Sequence, residues 1–370
     1  DVHVKNIVIT YQESAYMDGS EFGGFIGYSY GNSTFVSTFT NCSVENVIIS
    51  GNYDLGGFIG GIGTDGYITL GHTFTNCYAK NVNITGDDIA SASDIGGFIG
   101  FVDEATFANC YATGVISNCY EYVGGFVGIN WIGSQLSSYD TCYAEVDITC
   151  SNGVDDVFGD SIGGFIGWIG GNYNLTVINC YSSGDIIINV SYDDVGGFFG
   201  YGEGVITNCY HLGAVSVTGS DITDVGGFAG GLSGIINNCY SVGDVSGIED
   251  IGGFAGYSDA NISKCYFSGN VTIVNSGGAY SLDVGGLIGG YFGFGITNCY
   301  SQGNINITTN YVGYVGGFIG YSDYGAVIQN CYSDMNITLT GIGDTPTVDG
   351  VGGFCGYGNA YFDNSLDMSF

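Results

Sequence analysis

The chain has 370 residues, with 69 glycines, a single proline, 45% hydrophobic and 15% aromatic content, a composition that excludes a flexible linker or a disordered polymer. No arginine and only Lys5, Lys80 and Lys264 stand against 36 Asp plus Glu, and the net charge of −33 excludes nucleic acid and anionic membrane as partners. It suits cations, acid or high salt, and no run of eighteen apolar residues crosses a membrane.

Residues 1–22 open with Val2-His3-Val4-Lys5-Asn6-Ile7-Val8-Ile9-Thr10, a strand with nothing before it to complete a coil. From Gly23 onward a Gly-Gly-aromatic core recurs eleven times, at Gly23, Gly56, Gly96, Gly124, Gly163, Gly196, Gly226, Gly252, Gly285, Gly316 and Gly352. Val315-Gly316-Gly317-Phe318-Ile319-Gly320-Tyr321 is a full copy. Ile296-Thr297-Asn298-Cys299-Tyr300-Ser301 shows a second signature, and Asn304-Ile305-Asn306-Ile307-Thr308 a third, alternating run. A period near 33 residues with variable insertions marks a stacked repeat. The expected fold is all-β: a single-stack parallel β-solenoid of about eleven coils, with three short strands per coil.

The longest insertions fall near Gly61–Gly71, Asn130–Ser138 and Ser151–Asp160. The expected divisions are an N-terminal strand in 1–22, solenoid repeats in 23–351 and an incomplete repeat in 352–370. The tail Tyr361-Phe362-Asp363-Asn364-Ser365-Leu366 parallels Ile328-Gln329-Asn330-Cys331-Tyr332 and lacks a third strand. Head-to-tail assembly through Val2, Val4, Ile7, Ile9, Phe354, Phe362 and Leu366 is the expectation, since uncapped coils invite strand addition.

Equivalent residues of stacked coils form columns about 4.8 Å apart. Apolar columns stand immediately before Gly-Gly (Val284, Val315) and one residue after it (Phe254, Phe318). Strand alternation puts these on opposite faces, so either a second chain covers the strand or the glycines bend it toward one core. An asparagine column, including Asn208, Asn238 and Asn298, precedes the cysteines and satisfies itself through side-chain amides. The cysteine column is Cys42, Cys77, Cys110, Cys142, Cys180, Cys209, Cys239, Cys265, Cys299 and Cys331. Without Cys-x-x-Cys pairs it reads as a ladder of free thiols rather than a zinc site.

Cys119 and Cys150 lie off that column; aligning Val115 with Val146 puts them opposite each other, within disulfide range. Cys355 replaces an aliphatic residue. Tyr78 through Tyr332 form a column after the cysteines. An acidic column before Gly-Gly, including Asp194, Asp224, Asp250 and Asp283, reads first as solvated turns, with bridging calcium as the functional option. No other cofactor is expected. Sequons at Asn32, Asn83, Asn174, Asn189, Asn261, Asn270, Asn306 and Asn336 are candidate N-glycan sites; Asn41, in the amide ladder, is not.

The three signatures together resemble the GLUG repeat, found in large surface and secreted proteins of bacteria and archaea. The resemblance covers nearly the whole chain and implies a β-solenoid at a surface or extracellular location, without an activity. The chain departs from the family in its phenylalanines, acidity and cysteines. Catalysis is not expected: His3, His72 and His211 occupy unrelated positions and no paired carboxylates mark a cleft. The expected function is a structural subunit of a secreted filament or cell-surface sheath whose partner is itself, glycans apart. A surface adhesin that stacks sugars on the tyrosine column is the alternative.

Overall fold

The structure is a computed structural model. It describes residues 1–10, 21–31, 36–64, 71–86, 94–119, 121–132, 137–151, 160–171, 175–190, 192–218, 224–274, 282–309, 311–323, 325–341, 347–363 and 366–367. Every helix-or-strand element among them is a β-strand, and coil pairs with coil in parallel, as Val284↔Val315 and Ile305↔Ile337 illustrate. Three sheets run along one rod. The first face holds eleven short strands, from Phe22–Gly23 to Thr347–Gly352, one per coil. The parallel β-solenoid of eleven coils is therefore as expected.

The signatures, however, straddle corners instead of filling one strand each. Val315 and Gly316 end the first-face strand Tyr311–Gly316, Gly317 and Phe318 make a bend, and Ile319–Ser322 begins the second face. A Cβ on Gly316 would lie 1.9 Å from the Ile319 carbonyl oxygen, and one on Gly317 2.0 Å from that of Gly353 in the next coil. Only glycine fits both places. The bend turns Val315 and Phe318 into the same interior, where both are wholly buried. That decides between the two expectations: the glycines fold the chain around one core, and no second chain is needed to cover it.

At the second corner the residue before each cysteine is left-handed, with φ of 53–58° at Asn41, Asn76, Asn109, Asn179, Asn208, Asn238, Asn298 and Asn330. Asparagine tolerates this region better than most side chains. The second face ends at segments such as Gly295–Thr297, and the third begins one residue past the cysteine, as in Tyr300–Thr309. Most coils thus place two segments on the second face, Ile288–Tyr291 and Gly295–Thr297 for example, where one strand was expected, while Phe199–Thr207 and Ala229–Asn237 each run through as a single strand.

Phenylalanine fills the interior. Phe25, Phe58, Phe98, Phe126, Phe165, Phe198, Phe228 and Phe254 stack at 4.7–5.1 Å. In the first half a second stack, Phe39, Phe74, Phe107 and Tyr139, meets it edge-on at 5.6–6.3 Å. Each buried ring contributes roughly 1.5–3 kcal/mol, so the core outweighs the left-handed corners, which cost about 1–2 kcal/mol apiece. Serines in the later coils tie the third face to the bend: Ser301 donates to the Gly317 carbonyl at 2.7 Å and Ser241 to that of Gly253 at 2.9 Å.

Candidate functional site: side-chain columns and end coils

The outer side of the third face carries the tyrosines. From Tyr78 to Tyr332 the rings stack at 4.7–5.2 Å with planes within 6° of parallel. Tyr78 donates to Glu45 at 3.1 Å and Tyr181 to Glu145 at 3.0 Å. Because each face is taken by the next tyrosine, the column presents ring edges and hydroxyls to solvent.

One residue earlier, the cysteines point inward. All ten are buried free thiols, and Cys355 is a half-buried eleventh. The asparagine corners beside them are joined by amides: Asn208 donates to Asn179 at 3.0 Å and Asn238 to Asn208 at 2.7 Å. Where Thr141 interrupts the column, Asn179 reaches Asp140 instead, at 3.4 Å.

Cys119 and Cys150 form a disulfide, with Cα atoms 4.9 Å apart. The register that brings them together differs from the expected one. Val115 pairs with Asp147, not Val146, and Ser117 with Thr149. Cys119 still meets Cys150 because Asn118, at φ 53°, turns the chain back one position.

The acidic column is not a row of solvated turns. Asp194 pairs in register with Asp224 and Asp224 with Asp250, all half-buried, and the Asp283 N–H donates to Asp250 Oδ1 at 2.8 Å. Burial pushes Asp194 up to about 7, helped by Asp193, and pushes Asp250 up to about 7. Asp224, buried between the charges of Asp194 and Asp250, lies well above the usual carboxylate range. Burial lifts Asp283 to about 6, and Asp283 Oδ1 is buried without a hydrogen-bond partner. Asp160 rises to about 8 by burial and the charges of Glu121 and Asp193, and near the start Asp54 rises to about 7 by burial and Glu21.

The cover is aromatic. A Cβ on Gly231 would lie 2.6 Å from Tyr201 Cδ2 and 3.0 Å from Asp194 Oδ1; one on Gly61 would lie 3.0 Å from Tyr28 Cδ2 and 2.9 Å from Asp54 Oδ2. Tyr201 and Tyr28 therefore lean over a glycine of the next coil toward the carboxyls, which excludes water and favours the protonated acid. Composition alone gave no sign of this; a tyrosine in register with a glycine beside an aspartate was the available signal. Among the described residues no three of His, Cys, Asp and Glu group as a metal-binding set.

His211 is wholly buried and spent on packing. It shares a 3.0 Å hydrogen bond with Ser182 and its Nε2 accepts the Gly213 N–H at 3.0 Å, while burial lowers it to about 4. His72 is also buried, and the Ser37 N–H donates to its Nδ1 at 3.2 Å.

At the ends, His3–Thr10 pairs with the strand Ser43–Gly51 from His3↔Ser43 to Thr10↔Ser50. Val4, Ile7 and Ile9 pack half-buried on the core, whereas Val2 is exposed. At the far end Phe354 stacks on Phe318 at 4.7 Å, Phe362 is partly exposed against Phe354, and the Leu366 backbone pairs with Tyr332. Of the sequons, Asn83, Asn189, Asn261, Asn306 and Asn336 are exposed and Asn270 is half-exposed; Asn32 and Asn174 lie outside the described residues. Asn270 and Asn336 belong to a second amide ladder through Asn304, with bonds of 2.7 and 3.3 Å.

The family profile described as the GLUG motif matches residues 247–272, 280–306 and 311–338. No curated protein and no solved structure matches the chain. Each matched stretch takes in a Gly-Gly bend, a left-handed corner (Lys264, Asn298 or Asn330) and the third-face strand that follows, and the same columns continue into the coils before and after. Three stretches of this chain, 247–272, 280–306 and 311–338, are thus similar to the GLUG motif, and the chain that carries them is a parallel β-solenoid.

Proposed function

We propose that this chain is a structural subunit of an extracellular filament or cell-surface sheath, lengthened by stacking coil on coil with further copies of itself. One observation supports the reading above the rest: the columns stay in register into the outermost coils. Phe354 continues the phenylalanine stack at 4.7 Å, and His3–Thr10 occupies the third-face position that the tyrosine strands fill elsewhere. A coil supplied by another molecule would meet the same backbone ladder and the same apolar column as an internal neighbour. Secretion, and glycans on exposed sequons such as Asn83 and Asn306, belong to the same proposal.

The adhesin alternative draws less support. Sugars stack on open aromatic faces, and the tyrosine column turns its faces to one another.

Electron microscopy of the purified chain at neutral pH tests the proposal. Long polymers are expected, each protomer adding about 50 Å of eleven coils. Removing residues 1–10 should abolish them while circular dichroism still reports a β-solenoid. Discrete rods from the intact chain, or unchanged polymers from the truncated one, would sink strand-completing assembly. Binding to a glycan array by such rods would promote the adhesin.

A further inference from the structure

Ten buried thiols, one per coil from Cys42 to Cys331, have no part in the assembly proposed above. The tyrosines next to them repeat at 4.7–5.2 Å, and that is the spacing of the coils at this column. Their protons are dispensable. Cys299 donates to the Thr297 carbonyl at 3.2 Å and Cys239 to that of Asn237 at 3.4 Å. Each of these carbonyls already accepts a backbone N–H, from Lys264 at 3.0 Å and from Asn208 at 3.1 Å.

The sulfurs are also supplied with donors. The backbone N–H groups of Cys209, Cys239, Cys265 and Cys299 point at the sulfur of the following coil, at 3.4, 3.4, 3.2 and 3.5 Å. Hydrogen bonds of this kind favour a thiolate, as they do around metal–sulfur clusters. What opposes ionisation is burial, which pushes Cys180, Cys209 and Cys265 well up. A proton can leave such a core only when a cation takes its place.

The geometry points to a binding column for soft, closed-shell monovalent cations of the Cu(I) and Ag(I) class, each held between the sulfurs of two consecutive coils. Two metal–thiolate bonds of about 2.3 Å, the length known for zinc, span about 4.6 Å end to end, close to the coil repeat. Thiolates select soft ions of this kind. Charge also fits: each ion that enters between two sulfurs displaces one thiol proton to the buffer, so the interior stays neutral. Among the described residues no three ligands converge, which leaves two-coordinate ions as the class the column suits. The net charge of −33 concentrates cations around the rod.

The test is an anaerobic titration of the folded chain with Ag(I), read by thiolate–silver absorbance and native mass spectrometry. A Cys355→Ala background removes the free thiol outside the column, and Cys119 and Cys150 are already paired. Ten thiols enclose nine gaps, so nine ions should bind, with one proton released for each. Cys239→Ala interrupts the column and should leave seven, because two gaps are lost. Cys331→Ala shortens it by one gap and should leave eight. Circular dichroism verifies that each variant is folded. Loss of one ion in both variants, any other stoichiometry, uptake only in denaturant, or a column already oxidised to disulfides would overturn bridging between coils.

Discussion

Asn208 shows how a single side chain can serve two needs at one corner. Its φ of 58° suits few residues, and its amide bonds both Asn179 and Asn238. Glycine would meet the first need and not the second, alanine neither. Asn208→Gly should therefore cost about 1 kcal/mol, near the net worth of the lost amide bonds. Asn208→Ala should cost about 1–2 kcal/mol more, the strain of a left-handed Cβ. Urea unfolding of the two variants measures the difference, and equal losses would mean that the ladder, not the backbone, dictates asparagine. Lys264 and Thr141 hold the same conformation, at φ 55° and 56°, so packing can override the preference where it must.

Strand segments in this molecule are short, several of two or three residues, and hold only through their neighbours above and below. The Cys119–Cys150 bridge adds a covalent tie between two such neighbours, across a sequence separation of 31. A loop of that size is worth about 3–4 kcal/mol by chain entropy. Reduction should lower stability by up to this amount while leaving the fold in place. Alkylation of the unfolded chain, followed by mass spectrometry, should count eleven thiols before reduction and thirteen after. Thirteen without reductant would show that the bridge does not form.

Across the whole molecule the covered carboxyls make stability depend on pH. Asp194 and Asp250 lie near 7 and Asp160 near 8 in the folded chain, against about 3.9 for an unfolded aspartate. The folded state therefore binds more protons than the unfolded state between these values, and stability falls as pH rises. The stabilisation is fully present below about pH 4 and is lost through pH 7–8. The melting temperature should accordingly be higher at pH 4.5 than at pH 8.5. Asp224→Asn should raise it by several degrees at pH 8.5 and change it little at pH 4.5, as thermal melts at the two pH values will report. A flat profile would mean that the carboxyls are solvated or neutralised by a bound cation.

The period, the strand-forming runs and the cysteine and phenylalanine columns were legible in the sequence, because each coil gives equivalent positions the same environment and repetition exposes it. Val315 and Phe318 marked themselves as core in this way, yet which way they faced was open. Alternation along a strand argues for opposite faces, and only the Gly316-Gly317 bend, forced by carbonyl oxygens about 2 Å from where Cβ atoms would lie, turned both inward. The register at Cys119 was likewise hidden, since a one-residue shift at Asn118 depends on its backbone conformation. The acidic column looked solvated because the tyrosines that cover it reach it across a glycine of the next coil. Patterns that recur within a coil are written in the sequence; contacts between one coil's side chain and the next coil's glycine exist only once the coils are stacked.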